Sequence, residues 1–110
     1  MKDLENVFDK YRHEEFSEYF INGHGETGII LLMNKISSLA IYIRFDGDSG
    51  FTTSNPNGQN ENTQEFILSN GQQDVYTEDM LVNNRNGFEI LRYYLLTGEM
   101  YPAIEWKEEN

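Results

Sequence analysis

Thr27-Gly28-Ile29-Ile30-Leu31-Leu32-Met33, a polar break around Asn34 to Ser38, and Leu39-Ala40-Ile41-Tyr42-Ile43-Arg44-Phe45 decide the fold of this chain. Both runs are rich in branched and aromatic residues and the break between them is short, so together they predict a central β-hairpin. Ile41, Ile43 and Phe45 share one face of the second run, with Tyr42 and Arg44 on the other. The longest apolar run, Ile29 to Met33, is far too short to span a membrane.

Upstream of the hairpin, Asn22-Gly23-His24-Gly25 reads as a turn. Leu4, Val7, Phe8 and Tyr11 fall at i, i+3, i+4 and i+7, the stripe of an amphipathic first helix with Asp3, Glu5, Asp9 and Lys10 on its wet side. Glu14 to Ile21 fits two patterns. Phe16, Tyr19 and Phe20 extend the helix, whereas Phe16, Glu18 and Phe20 line one face of a short strand; the helical reading is taken here.

Downstream, Asp46-Gly47-Asp48-Ser49-Gly50 is a turn carrying two carboxylates, and Phe51 to Ser54 form a further short strand. Asn55 to Thr63 has proline, glycine and amides but no apolar anchor, the composition of an exposed loop. Gln64 to Leu68 returns as a strand and pairs with Gln72 to Tyr76 across Asn70-Gly71, the dipeptide favoured by type I′ turns. Asn86 stands in N-cap position with Glu89 three residues on, and Phe88, Leu91 and Leu95 with Tyr94 form the apolar stripe of a helix whose Glu89 and Arg92 point outward. Gly98 ends that helix and Pro102 prevents its resumption. Ile104 and Trp106 then alternate with Glu105 and Lys107, a half-buried strand in which Trp106 plugs the core.

The fold class is therefore α+β: one domain over residues 1–110, an antiparallel sheet of about five or six strands with an N-terminal and a C-terminal helix packed on it. A chain of 110 residues has room for one core, and 38% hydrophobic with 14% aromatic residues suffices to build it. The chain lacks cysteine, which excludes disulfides and thiolate metal sites. Its first residues lack the apolar core of a signal peptide, so a cytoplasmic location is expected.

Few residues offer chemistry. His13 and His24 are the only histidines and neither has a partner at ligand or triad spacing; a surface helix residue and a turn residue are the simplest accounts. Asp46 to Gly50 resembles the start of a calcium loop, but Phe51 and Asn57 stand where that loop needs glycine and glutamate. Tyr94 belongs to the core and its neighbour Tyr93 to the rim. No catalytic residue, cofactor or metal ligand is assigned. Nineteen acidic against eight basic residues give a net charge of −11, which repels nucleic acid and anionic lipid and attracts basic proteins.

The C-terminal part also carries a family resemblance. Asn70-Gly71-Gln72, the aromatic Tyr76, the pair Leu81-Val82 ahead of the helix, Thr97-Gly98-Glu99 and Glu105-Trp106-Lys107-Glu108 resemble immunity protein family 1 of bacterial polymorphic toxin and contact-dependent growth inhibition systems. The likeness spans about residues 66 to 109. Asn70, Thr77 and Tyr101 depart from the family's usual glycine, proline and aspartate. The resemblance implies a cytoplasmic antidote, without enzymatic activity, that binds one cognate toxin domain as a monomer and covers its active site. The charge implies that this toxin is basic and acts on nucleic acid. The expected contact residues are those acidic and aromatic positions left without a core role: Asp46, Asp48, Glu61, Asp74, Tyr76, Glu78 and Asp79. Charge alone is equally served by a small acidic adaptor or regulatory domain binding another basic protein.

Overall fold

A computed structural model describes residues 17–58, 61–68 and 70–109. The predicted hairpin is its centre. Strands β1 (Ser17–His24), β2 (Thr27–Met33), β3 (Ser37–Ile43), β4 (Phe51–Ser54) and β8 (Glu105–Glu108) form an antiparallel sheet in the order β1-β2-β3-β4-β8. The two-residue β7 (Val82–Asn83) pairs with the start of β3. Strands β5 (Thr63–Ile67) and β6 (Gln73–Thr77) make a separate two-stranded sheet, followed by a 3₁₀ turn, Glu78–Met80, and one helix, α1 (Asn84–Thr97).

The apolar run of β2 is continuous because both of its faces are buried. On one face, Ile29, Leu31, Met33, Ala40 and Tyr42 pack under α1 against Ile90, Leu91 and Tyr94. On the other, Leu32 and Leu39 pack against Phe66 of β5 and Leu81. The core is thus two thin layers separated by the sheet. The turn between β2 and β3 depends on the buried Asn34. Its Oδ1 accepts from the Ile36 and Ser37 amides at 2.8 and 2.7 Å, and its Nδ2 donates to Gln64 Oε1 and the Glu65 carbonyl.

Helix α1 reaches the sheet through a glycine. A Cβ on Gly87 would lie 2.7 Å from the Ser38 Cβ and closer still to its hydroxyl, which itself donates to Asn84 Oδ1 at 2.6 Å. At the other end Gly98 takes φ +75° and donates to the Tyr94 carbonyl at 2.7 Å, ending the helix where the sequence predicts. The Tyr42 hydroxyl donates to the Gly98 carbonyl, and His24 Nε2 lies 3.0 Å from the Leu95 carbonyl, so the sheet satisfies the helix's last acceptors. His24, expected in a turn, ends β1 and packs edge-on against Tyr94.

Three expectations change. The helix over Glu14 to Ile21 is corrected for residues 17–21, which belong to β1. Pairing along the whole length of β2 satisfies that strand's backbone, and this tertiary gain outweighs the local helical spacing. The helix read from Leu4 to Tyr11, with His13 beyond it, lies outside the described residues. The N-cap of α1 is Asn83 rather than Asn86: Asn83, held extended beside Ser37, accepts from the Asn86 amide at 2.8 Å, and Glu89 takes no part. The β5–β6 connection is not type I′ across Asn70-Gly71, because that turn needs positive φ at both residues and Asn70 does not take it; Gly71 does, and its amide donates to the Leu68 carbonyl at 2.9 Å.

The close approach at Gly87 generates a prediction. Gly87→Ala should destabilise the protein by about 1–3 kcal/mol through overpacking, although alanine elsewhere in a helix gains about 1 kcal/mol over glycine. Urea unfolding measures the change, and the cost should shrink in a Ser38→Gly background.

Candidate functional site

Glu61, Asp74, Tyr76, Glu78 and Asp79 come together on the layer formed by β5, β6 and the 3₁₀ turn. The alternation of the hairpin places Gln64, Phe66, Asp74 and Tyr76 on its sheet-facing side, since Gln64 pairs with Tyr76 and the buried Phe66 with Asp74. Phe66 anchors the layer. Tyr76 meets its ring edge-on at 5.8 Å, half-buried, and donates its hydroxyl to Asp74 Oδ2 at 3.1 Å. Burial first, and then the hydrogen bond and charge of Asp74, push the Tyr76 phenol up to about 12.

Among the described residues, Asp74, Glu78 and Asp79 are each held by neutral donors, whereas Glu61 and Glu65 are not. Gln72 Nε2 supplies a second bond to Asp74 at 3.1 Å; Gln64 Nε2 and Asn62 Nδ2 donate to Glu78 at 3.2 and 3.4 Å; the Thr77 hydroxyl donates to Asp79. Glu61 is exposed. Amide and hydroxyl donors orient a carboxylate without neutralising it, so this layer presents fixed, uncompensated negative charge. Its ends are tied down by backbone bonds from Glu78 N–H to the Asn62 carbonyl and from Asn55 N–H to the Asp79 carbonyl.

Asp46 and Asp48 lie elsewhere, in the turn after β3, at the opposite end of the sheet from the β2–β3 turn. Asp48 is engaged internally. The Arg44 guanidinium grips both of its oxygens at 2.9 and 3.0 Å, and the Arg44 amide adds a third bond at 3.0 Å. Arg44 also reaches Glu108 at 3.3 Å and lies over the Phe51 ring. Its hydrogen bonds hold the Asp48 carboxyl well below its ordinary value of 3.8. In this turn a guanidinium occupies the carboxylate that a calcium loop would direct at its ion. Asp46 is exposed.

The neutral donors Asn62, Gln64, Gln72 and Thr77 went unmarked in the sequence. Only the period-two spacing of Asp74, Tyr76 and Glu78 hinted that one strand face carries them. Among the described residues, no three His, Asp or Glu side chains come close enough to share a metal ion, and no helix is long and apolar enough to cross a membrane. Neither a protein-family model nor a curated protein matches the chain.

Two titrations follow from this geometry. Because the folded Asp48 carboxyl titrates below 3.8, its ion pair supports the fold above that pH, and the contribution is lost as pH falls below it. Asp48→Asn should therefore flatten the acid limb of a pH series of urea midpoints. Tyr76 has the opposite sign: its raised phenol supports the fold below 10.0, and that support is lost as pH rises through about 12. Subtracting the ultraviolet titration of Tyr76→Phe from that of the parent isolates this phenol, and Asp74→Asn should move it down.

Proposed function

We propose that this chain is an immunity protein that binds a basic bacterial toxin domain acting on nucleic acid and covers its active site. The observation that carries this reading is the row Asp74, Glu78 and Asp79, whose charges are oriented by neutral donors and left uncompensated. Such carboxylates supply the negative charge that a nucleic-acid enzyme attracts, and they steer a basic partner. The resemblance of residues 66 to 109 to immunity protein family 1 points the same way. Glu61, exposed beside the row, completes the contact surface, and Tyr76 holds Asp74 from the side of Phe66.

Binding of this kind asks for rigidity more than for chemistry. A surface already held in its bound arrangement loses little entropy on association, and the backbone ties at Asn55, Asn62 and Glu78 supply that hold. The toxin side contributes basic anchors, and a standard interface of about 800 Å² on each partner accommodates the whole layer. The protein acts as a monomer against one toxin domain and needs no cofactor.

Co-expression with the toxin domain encoded beside it, with the tag on the toxin alone, tests the reading. Capture of this chain together with rescue of growth is expected; toxicity with neither capture nor rescue overturns it. Within a captured complex, Asp74→Asn, Glu78→Gln and Asp79→Asn combined should slow association about tenfold at low salt and flatten its salt dependence. Dissociation should change less, and stopped-flow kinetics across a salt series separates the two.

A further inference from the structure

The β5–β6 layer covers only part of its sheet face. Leu32 and Leu39 beneath it are 3% and 0% exposed, whereas Phe20, which continues the same face through Ile30 and Ile41, is 60% exposed. Beyond Phe20 the face opens into a cavity of about 290 Å³ lined by Phe20, Asn22, Glu26, Gly28, Ile43 and Asp46 among others. Gly28 is part of its lining. A Cβ there would meet the Ile21 carbonyl at 3.5 Å and the Phe20 ring at 3.7 Å, ordinary contacts, so a larger side chain at this position would extend into the hollow beside Phe20. The rim carries Glu26 and Asp46, both exposed and neither in an ion pair or hydrogen bond with another described side chain. Asp48, two residues on, is neutralised by Arg44; Asp46 is not.

We infer that this hollow receives an arginine side chain of the basic protein partner. The inference rests on the proposed reading of that partner as basic. Its volume of about 290 Å³ has room for one side chain and stands at the bottom of the range for small-molecule sites. Two free carboxylates repel an anion and favour a cation. The exposed Phe20 ring offers a face for a planar guanidinium, and Ile43 offers apolar surface for its methylene stem. Arginine also forms bidentate bonds to carboxylate that a lysine ammonium does not. A second copy of this chain related by a two-fold axis through the hollow fits poorly, because Glu26 and Asp46 would then face their own equivalents. The hollow at Gly28 and the hairpin layer over Leu32 share one sheet face, about 14 Å apart along β2 at ~3.4 Å per residue. A single partner can therefore engage both.

The test does not require the toxin, so its failure is distinct from failure of the capture experiment. Acetyl-Gly-Arg-Gly-amide is titrated into the full chain and the backbone amides are followed by nitrogen-15 correlation spectra, with the citrulline peptide as the uncharged control. Expected are saturable shifts centred on Gly28, Ile43 and Asp46, at least fivefold weaker with citrulline. They should be lost in Glu26→Gln/Asp46→Asn, which removes the charge, and in Gly28→Val, which fills the hollow and keeps the charge. Shifts spread over every acidic segment, shifts equal for citrulline, or shifts that persist in both variants overturn the inference.

Discussion

Leu31 and Leu32 are neighbours in the chain, point to opposite sides of the sheet, and are both withdrawn from water. A hairpin with two apolar faces is insoluble until both are covered, and the rest of the structure is the means of covering them. Helix α1 lies on the Leu31 side and the small β5–β6 sheet on the Leu32 side. Asn34 binds these layers together. Its side chain holds the β2–β3 turn and reaches β5, while its carbonyl accepts from Asn84 in the first turn of α1 at 2.9 Å. A buried amide with its groups satisfied in three directions specifies one relative placement of hairpin, helix and second sheet, where apolar contact alone tolerates sliding.

The second constraint is that β3 changes partner halfway along. Ile41 and Tyr42 pair with β4, but Ser37 and Ser38 pair with β7. Thr53 bridges the change: its hydroxyl lies 3.3 Å from the Ala40 amide as acceptor and donates to the Met80 carbonyl at 2.7 Å. This fastens the 3₁₀ turn to the sheet, and with it the carboxylates of Glu78 and Asp79. The acidic surface is therefore carried on a braced element, although its residues come from a connecting segment.

The negative charge of the chain is handled in two ways. Near Arg44 it is cancelled, by a bidentate pair with Asp48 and a longer contact with Glu108 that also ties β8 to the turn after β3. Over the β5–β6 layer it is oriented and left in place. Aiming these carboxylates costs side-chain entropy, which their hydrogen bonds from Gln64, Gln72 and Thr77 offset.

The central hairpin, the short strand after Asp46 to Gly50, the glycine stop at Gly98 and the stripe of Leu91 and Tyr94 were legible without coordinates, because each is a local consequence of side-chain period or of glycine's freedom at positive φ. Four features were not. Ser17 to Ile21 became a strand because the outer edge of β2 needed a partner. The cap moved to Asn83 because β3 holds that residue extended. Asp48 became a structural anion because the chain reversal brings Arg44 to it. The second face of the hairpin became a core because a distant strand pair supplied Phe66. Each of these depends on a residue far off in the chain or on the path between them. By itself the sequence determined which segments wanted to leave water and where the chain had to turn; only the tertiary structure decided which of them met, and so which charges were cancelled and which were left facing outward.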